Sequence, residues 1–169
     1  MAEHTPLPPK FVLDVHLGKL ARHLRMLGFD SLWHPDYQDD VLERTATEEG
    51  RVLLTRDREL HERTLLHTRG QTRAGSHYVQ AIEPSEQLLE VLKTFSLVER
   101  VRSGQGFLTR CLECNSPILP TKAHHLTDRL PEHVLEQHQE FFLCPRCERI
   151  YWKGTHWDRM HEWVRKLIK

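Results

Sequence analysis

"RVLLTRDREL", residues 51–60, is the stretch on which the reading of this chain turns. Val52, Leu53 and Leu54 form a continuous apolar run, as in a strand buried on both faces. Thr55 closes the run, Asp57 follows at its carboxyl end, and "RELHERTLLHT" continues as a helix. A carboxylate at a strand end can simply meet water, so Asp57 gains meaning only if other acids converge on it.

The same alternation extends outward from this stretch. "KFVLD" (10–14) is a short apolar run ending on Asp14, and "VHLGKLARHLRMLG" then places Leu17, Leu20, Ala21, Leu24 and Leu27 at helical spacing, with Gly28 as the stop. "SLWH" (31–34) reads as a second strand, and the next helix opens at Asp39-Asp40 and ends at Gly50. "HYVQAI" (77–82) is expected as a fourth strand, followed by a helix over "PSEQLLEVLKTFSL" (84–97). Strands separated by helix-length segments require crossover connections, which imply an α/β domain with a mostly parallel sheet flanked by helices. That domain is expected over 10–98. "VERVRSGQGFLTR" then reads as a connection into a second module over 107–169, with a core of its own and a terminal helix in "WDRMHEWVRKLIK".

With 169 residues, the chain suits this division into a domain and a small appendage. Lys plus Arg and Asp plus Glu stand at 24 each, so net charge selects neither nucleic acid nor membrane as a partner. Thirteen histidines give a surface that becomes more basic as pH falls, which favours an anionic partner. The N-terminus lacks the basic and apolar regions of a signal peptide, and no run approaches a membrane span, so a soluble cytoplasmic protein is expected. The first nine residues, with three prolines, read as an extended lead-in.

All four cysteines fall in two C-x-x-C pairs, Cys111/Cys114 and Cys144/Cys147, separated by 29 residues. Two such pairs without a secretion signal indicate a zinc ribbon rather than disulfides. Four thiolates close the tetrahedral shell of Zn²⁺, so one structural zinc is expected, contributing on the order of 10 kcal/mol to folding. His124, His125, His133 and His138 lie in the insertion, but four cysteines already suffice. In "YWKGTHWDRM", Lys153 could meet phosphate and Tyr151, Trp152, His156 and Trp157 could stack on bases, or the tryptophans could pack the ribbon against the first domain.

Ligands of doubly wound sheets bind outside the carboxyl ends of the strands. Asp14, Asp57 and either Asp39 or Asp40 arrive at that edge, although an Asp at 39 or 40 also suits a helix cap. Clustered carboxylates raise one another's pKa unless a cation balances them, and Mg²⁺ prefers such oxygen ligands. A pair of such ions could activate water for phosphodiester cleavage. Lys19, Arg22 and Arg25, on the polar face of the first helix, could hold the phosphate backbone, or could simply be a solvated face.

"FVLDVHLGKLARHLRMLGFD", "DDVLERTATEEGRVLLTRDREL", the two cysteine pairs and "YWKGTHWDRM" together resemble the Mut-seven C-terminal domain family, a PIN-like ribonuclease domain fused to a zinc ribbon. The likeness spans about residues 10 to 161. It implies a metal-dependent ribonuclease using Mg²⁺ or Mn²⁺, with metal-binding aspartates at Asp14, Asp39 and Asp57 and RNA as partner. The match favours Asp39, and a slip of one residue would substitute Asp40. PIN domains often carry a fourth acid; here the only residue on offer is Glu59, which implies a weaker or absent second metal site. A non-catalytic RNA- or ribosome-binding module and a Mg²⁺-dependent enzyme acting on a small nucleotide are the competing readings.

Overall fold

The computed structural model describes residues 7–169, so most of the expected lead-in lies outside the described residues. Strands β1 (Phe11–Leu13), β2 (Ser31–Leu32), β3 (Val52–Thr55) and β4 (Gly75–Tyr78) form a parallel sheet in the order β2-β1-β3-β4. Between and after them run α1 (Gly18–Met26), α2 (Asp39–Glu49), α3 (Arg58–His67), α4 (Pro84–Thr94) and the short α5 (Val98–Arg102). The α/β reading holds.

Alternate residues of a strand point to opposite faces. Phe11, Leu13, Val52 and Leu54 join Leu20 and Leu24 of α1 and Leu88 and Val91 of α4 in one apolar cluster. Val12 and Leu53 point the other way, to Leu42 and Ala46 of α2 and Leu60 of α3. The unbroken apolar runs of β1 and β3 are thus explained by helices on both faces.

Two local expectations are corrected. The fourth strand lies at 75–78 rather than 77–82, because Val79 makes the last bond to β3 and the N–H groups of Gln80 and Ala81 donate to the Glu90 carboxylate instead. The connection after residue 97 contains α5 and returns to α1. Gly28, in the left-handed region at φ 84°, sits so close to Gly106 that a β-carbon would lie 2.2 Å from its carbonyl oxygen. Glycine is required there both for its backbone angle and for the close approach.

The second module holds an antiparallel sheet of β5 (Leu119–Thr121), β6 (Phe141–Leu143) and β7 (Ile150–Trp152), with α6 (Glu132–Gln137) in the insertion and α7 (Thr155–Leu167) at the end. It does not have a fully separate core. Leu108, Leu112, Val164 and Ile168 belong to the same cluster as Phe11 and Leu24, because α7 lays its apolar face on the first domain. Among the described residues no helix is long and apolar enough to cross a membrane.

Candidate active site and metal centre

Asp14 leaves β1 at the carboxyl edge of the sheet and is 7% exposed. Its Oδ1 accepts the Val15 N–H at 2.6 Å and its Oδ2 accepts the Thr55 hydroxyl at 2.8 Å. Thr55 in turn accepts the Asp57 N–H at 3.0 Å. One hydroxyl at the end of β3 therefore ties together the turns that follow the two central strands. Asp57 itself caps α3, its Oδ1 accepting the Leu60 N–H at 3.0 Å, and its side chain is exposed.

Asp39 and Asp40 do not cap α2. Gln38 occupies the capping position, and both aspartates stand exposed in the first turn, where the helix dipole favours their charge. Their helix follows β2, the strand beside β1, so the turns carrying Asp14, Asp39 and Asp57 follow adjacent strands. Glu59 is exposed in the first turn of α3. The Arg63 guanidinium is raised above its ordinary pKa, first by its hydrogen bond to Glu43 and that charge, then by the charges of Asp39 and Glu59. Among the described residues, however, the group of three or more acids, histidines or cysteines that closes to metal-holding distance is the cysteine set.

That set fits zinc. The Sγ atoms of Cys111, Cys114, Cys144 and Cys147 lie within 4.8 Å of one another, and the four thiols are free. A tetrahedron with Zn–S bonds of about 2.3 Å has edges of about 3.8 Å, within the span of this cluster. Each knuckle turns back on itself through a left-handed residue, Asn115 at φ 69° and Glu148 at φ 59°. The Asn115 N–H bonds the Cys111 carbonyl at 3.0 Å, and the Glu148 N–H bonds the Cys144 carbonyl at 2.9 Å. Tyr151 supports the first knuckle from β7, its hydroxyl 3.1 Å from Cys111 Sγ and accepting the Leu112 N–H at 3.1 Å. Burial and the neighbouring sulfur push the Tyr151 phenol above its ordinary pKa, so it stays a neutral support.

One family model, the Mut7-C RNAse domain, matches residues 9–164, a span that takes in the parallel sheet and the four-thiol knuckle pair. The chain belongs to that family. No curated protein and no solved structure matches it. Membership gives this Mut7-C chain a ribonuclease-like function and RNA as the substrate class, and the matched span takes in Asp14, Asp39, Asp57 and all four cysteines.

The basic residues divide. Arg25 is corrected: it is 4% exposed, and its guanidinium donates to the carbonyls of Ser31 at 2.9 Å, Leu112 at 3.1 Å and Glu113 at 2.8 Å. Its role in this Mut7-C domain is to clamp the first cysteine knuckle to the α/β sheet. Arg22 is exposed and pairs with Glu113 at 2.5 Å, and Lys19 is exposed on the same helix. Lys153 pairs with Glu140 at 2.6 Å, its ammonium 5.6 Å from the Trp157 ring centre. Trp157 meets Phe107 edge to face at 5.3 Å and packs on the main core, which is the packing role open to it from sequence.

Sequence reasoning missed Thr55 and the network around Asn115. The Asn115 amide donates to Asp30 at 2.8 Å, and its carbonyl oxygen accepts the Ser31 N–H at 2.9 Å. Arg51 also binds Asp30, at 2.8 Å. Burial alone would raise the Asp30 carboxyl, but the Arg51 and Asn115 hydrogen bonds outweigh it and hold it below the ordinary carboxylate range. Asparagine after the second cysteine of a knuckle was a legible signal for a left-handed turn; its partner 85 positions away was not.

Proposed function

We propose that the chain is a metal-dependent ribonuclease that hydrolyses RNA phosphodiester bonds at the carboxyl edge of the sheet, with the zinc ribbon holding the fold and assisting RNA binding. The observation that carries this is the hydroxyl bridge from Thr55 to Asp14 and the Asp57 turn, a polar link set at the end of two buried strands. Asp14, Asp57 and Asp39 would hold Mg²⁺ or Mn²⁺, and their oxygen donors match the chemistry of those hard ions. When bound, such an ion supplies charge stabilisation and a nucleophilic water for phosphodiester cleavage.

The chain's own groups prepare that chemistry. Val15 N–H and Thr55 Oγ1 each donate to one oxygen of Asp14, which fixes the plane of the carboxyl group. Capping α3 occupies one oxygen of Asp57 and leaves Oδ2 free to face solvent. Asp39, in the first turn of α2, would join them from the β2 side. The test is a time course of single-stranded RNA cleavage by the purified chain, with and without added Mg²⁺ or Mn²⁺, beside Asp14→Asn. Divalent-dependent cleavage that the variant loses is expected. Equal cleavage by both proteins would remove the acidic edge from the mechanism.

A further inference from the structure

Helices α1 and α7 face each other across a cleft of about 430 Å³. Its floor is apolar, made by Met26, Leu112 and Met160. One wall is an aromatic pair, the His23 ring lying 4.7 Å from that of Trp163 at an interplanar angle of 42°. Two guanidinium groups, Arg22 from α1 and Arg159 from α7, reach the same cleft, as does His156. Among the described residues Arg159 has no ion-pair partner, and Arg22 is held by Glu113 alone.

A simple anion would use the guanidinium groups and leave the aromatic wall idle. A simple apolar ligand would do the reverse. A nucleotide engages both, since its base has a face to stack and its phosphates need cations. Bases already stacked and paired in a duplex cannot enter such a cleft, so the ligand is a single strand. We propose that this cleft seats one nucleotide of single-stranded RNA, with its base against Trp163 and His23 and its phosphates on Arg159 and Arg22. The proposal rests on the ribonuclease reading and deepens it. The cleft lies one to two turns along α1, whose approach from β1 begins at Asp14, so it grips the strand away from the acidic edge. Glu113 is then a competitor for Arg22, and it weakens the grip.

Binding is read by fluorescence anisotropy with zinc retained and no other divalent ion added, using a labelled oligouridylate of about ten nucleotides and a blunt RNA duplex as probes. Arg159→Ala should weaken single-strand binding roughly tenfold and reduce the slope of log affinity against log salt by about 0.7. Glu113→Gln should tighten binding severalfold by freeing Arg22, a gain that misfolding cannot produce, since the Glu113 group that Arg25 holds is the backbone carbonyl. The duplex should bind more weakly than the single strand. Unchanged affinity and slope in Arg159→Ala, no gain in Glu113→Gln, or equal binding of the duplex would overturn the proposal. Asp14→Asn should bind as the parent does, so loss of cleavage and loss of this grip are separately visible.

Discussion

At the scale of single residues, Asp57 has two tasks that substitution can separate. Asn caps a helix as well as Asp does, so Asp57→Asn should keep the bond to Leu60 and melt within about 0.5 kcal/mol of the parent. Its cleavage of single-stranded RNA should nevertheless fall by several orders of magnitude. Cleavage at the parent rate would reduce Asp57 to a helix cap. Thr55 makes a finer case. Thr55→Val removes the donor to Asp14 and the acceptor for Asp57 N–H. We expect cleavage to fall about tenfold or more, RNA affinity to hold, and Thr55→Ser to restore the rate; failure of serine to rescue would count against the hydroxyl. The positions of Asp14 and Asp57 just past the ends of β1 and β3 were legible because a polar residue closing a buried apolar run is visible in one dimension. Arg25 was misread because two of the three carbonyls that occupy it arrive 87 and 88 positions later, and sequence shows a charge without showing its partners.

At the scale of elements, β4 ends because a side chain takes over from the sheet. Glu90 of α4 accepts the N–H groups of Gln80 and Ala81 and meets His77 at 2.8 Å. Burial would raise its carboxyl, but those N–H groups and His77 hold it below the ordinary carboxylate value of 4.5. A depressed folded pKa means the unfolded chain binds the proton first as pH falls. The contribution is therefore complete above the ordinary carboxylate range and is lost as pH drops through the lowered folded value. Glu90→Gln should cost roughly 1 to 2 kcal/mol at neutral pH and flatten the acid limb of a melting-temperature profile; an unchanged acid limb would show that the bond contributes nothing. Gly28 sets a second such limit. Gly28→Ala should cost about 2 kcal/mol or more in a thermal melt, since it combines a left-handed backbone with a clash against Gly106. The helix stop at Gly28 could be read from sequence, but its contact with Gly106 could not, because it joins two glycines that neither periodicity nor charge connects.

At the scale of the whole molecule, one apolar cluster takes residues from both the α/β domain and the second module. Periodicity gave α1 to α4 and three of the four parallel strands close to their observed places, because amphipathic spacing is local. The shared core escaped it. An apolar helix face does not declare what it covers, and Val164 and Ile168 join the cluster that holds Phe11 and Leu24 of the α/β domain. Cys144→Ser should therefore release the zinc and lower the melting transition of the entire chain, followed by circular dichroism in the helical band. Two separated transitions, with the first-half helices melting at their original temperature, would contradict the shared core. Atomic absorption on the parent should find close to one zinc per chain.

The placement of α7 also bears on the order in which the protein comes into being. A ribosome delivers residues 10–98 first, yet the apolar surface of α1 is completed only by side chains from residues 108–168. During synthesis the nascent sheet must wait with that surface uncovered, in the state where chaperones bind and aggregation begins. Chains halted before residue 155 should be cut quickly by protease within α1, and chains extended past residue 169 should resist. A core assembled in this order is sealed only when α7 has left the exit tunnel.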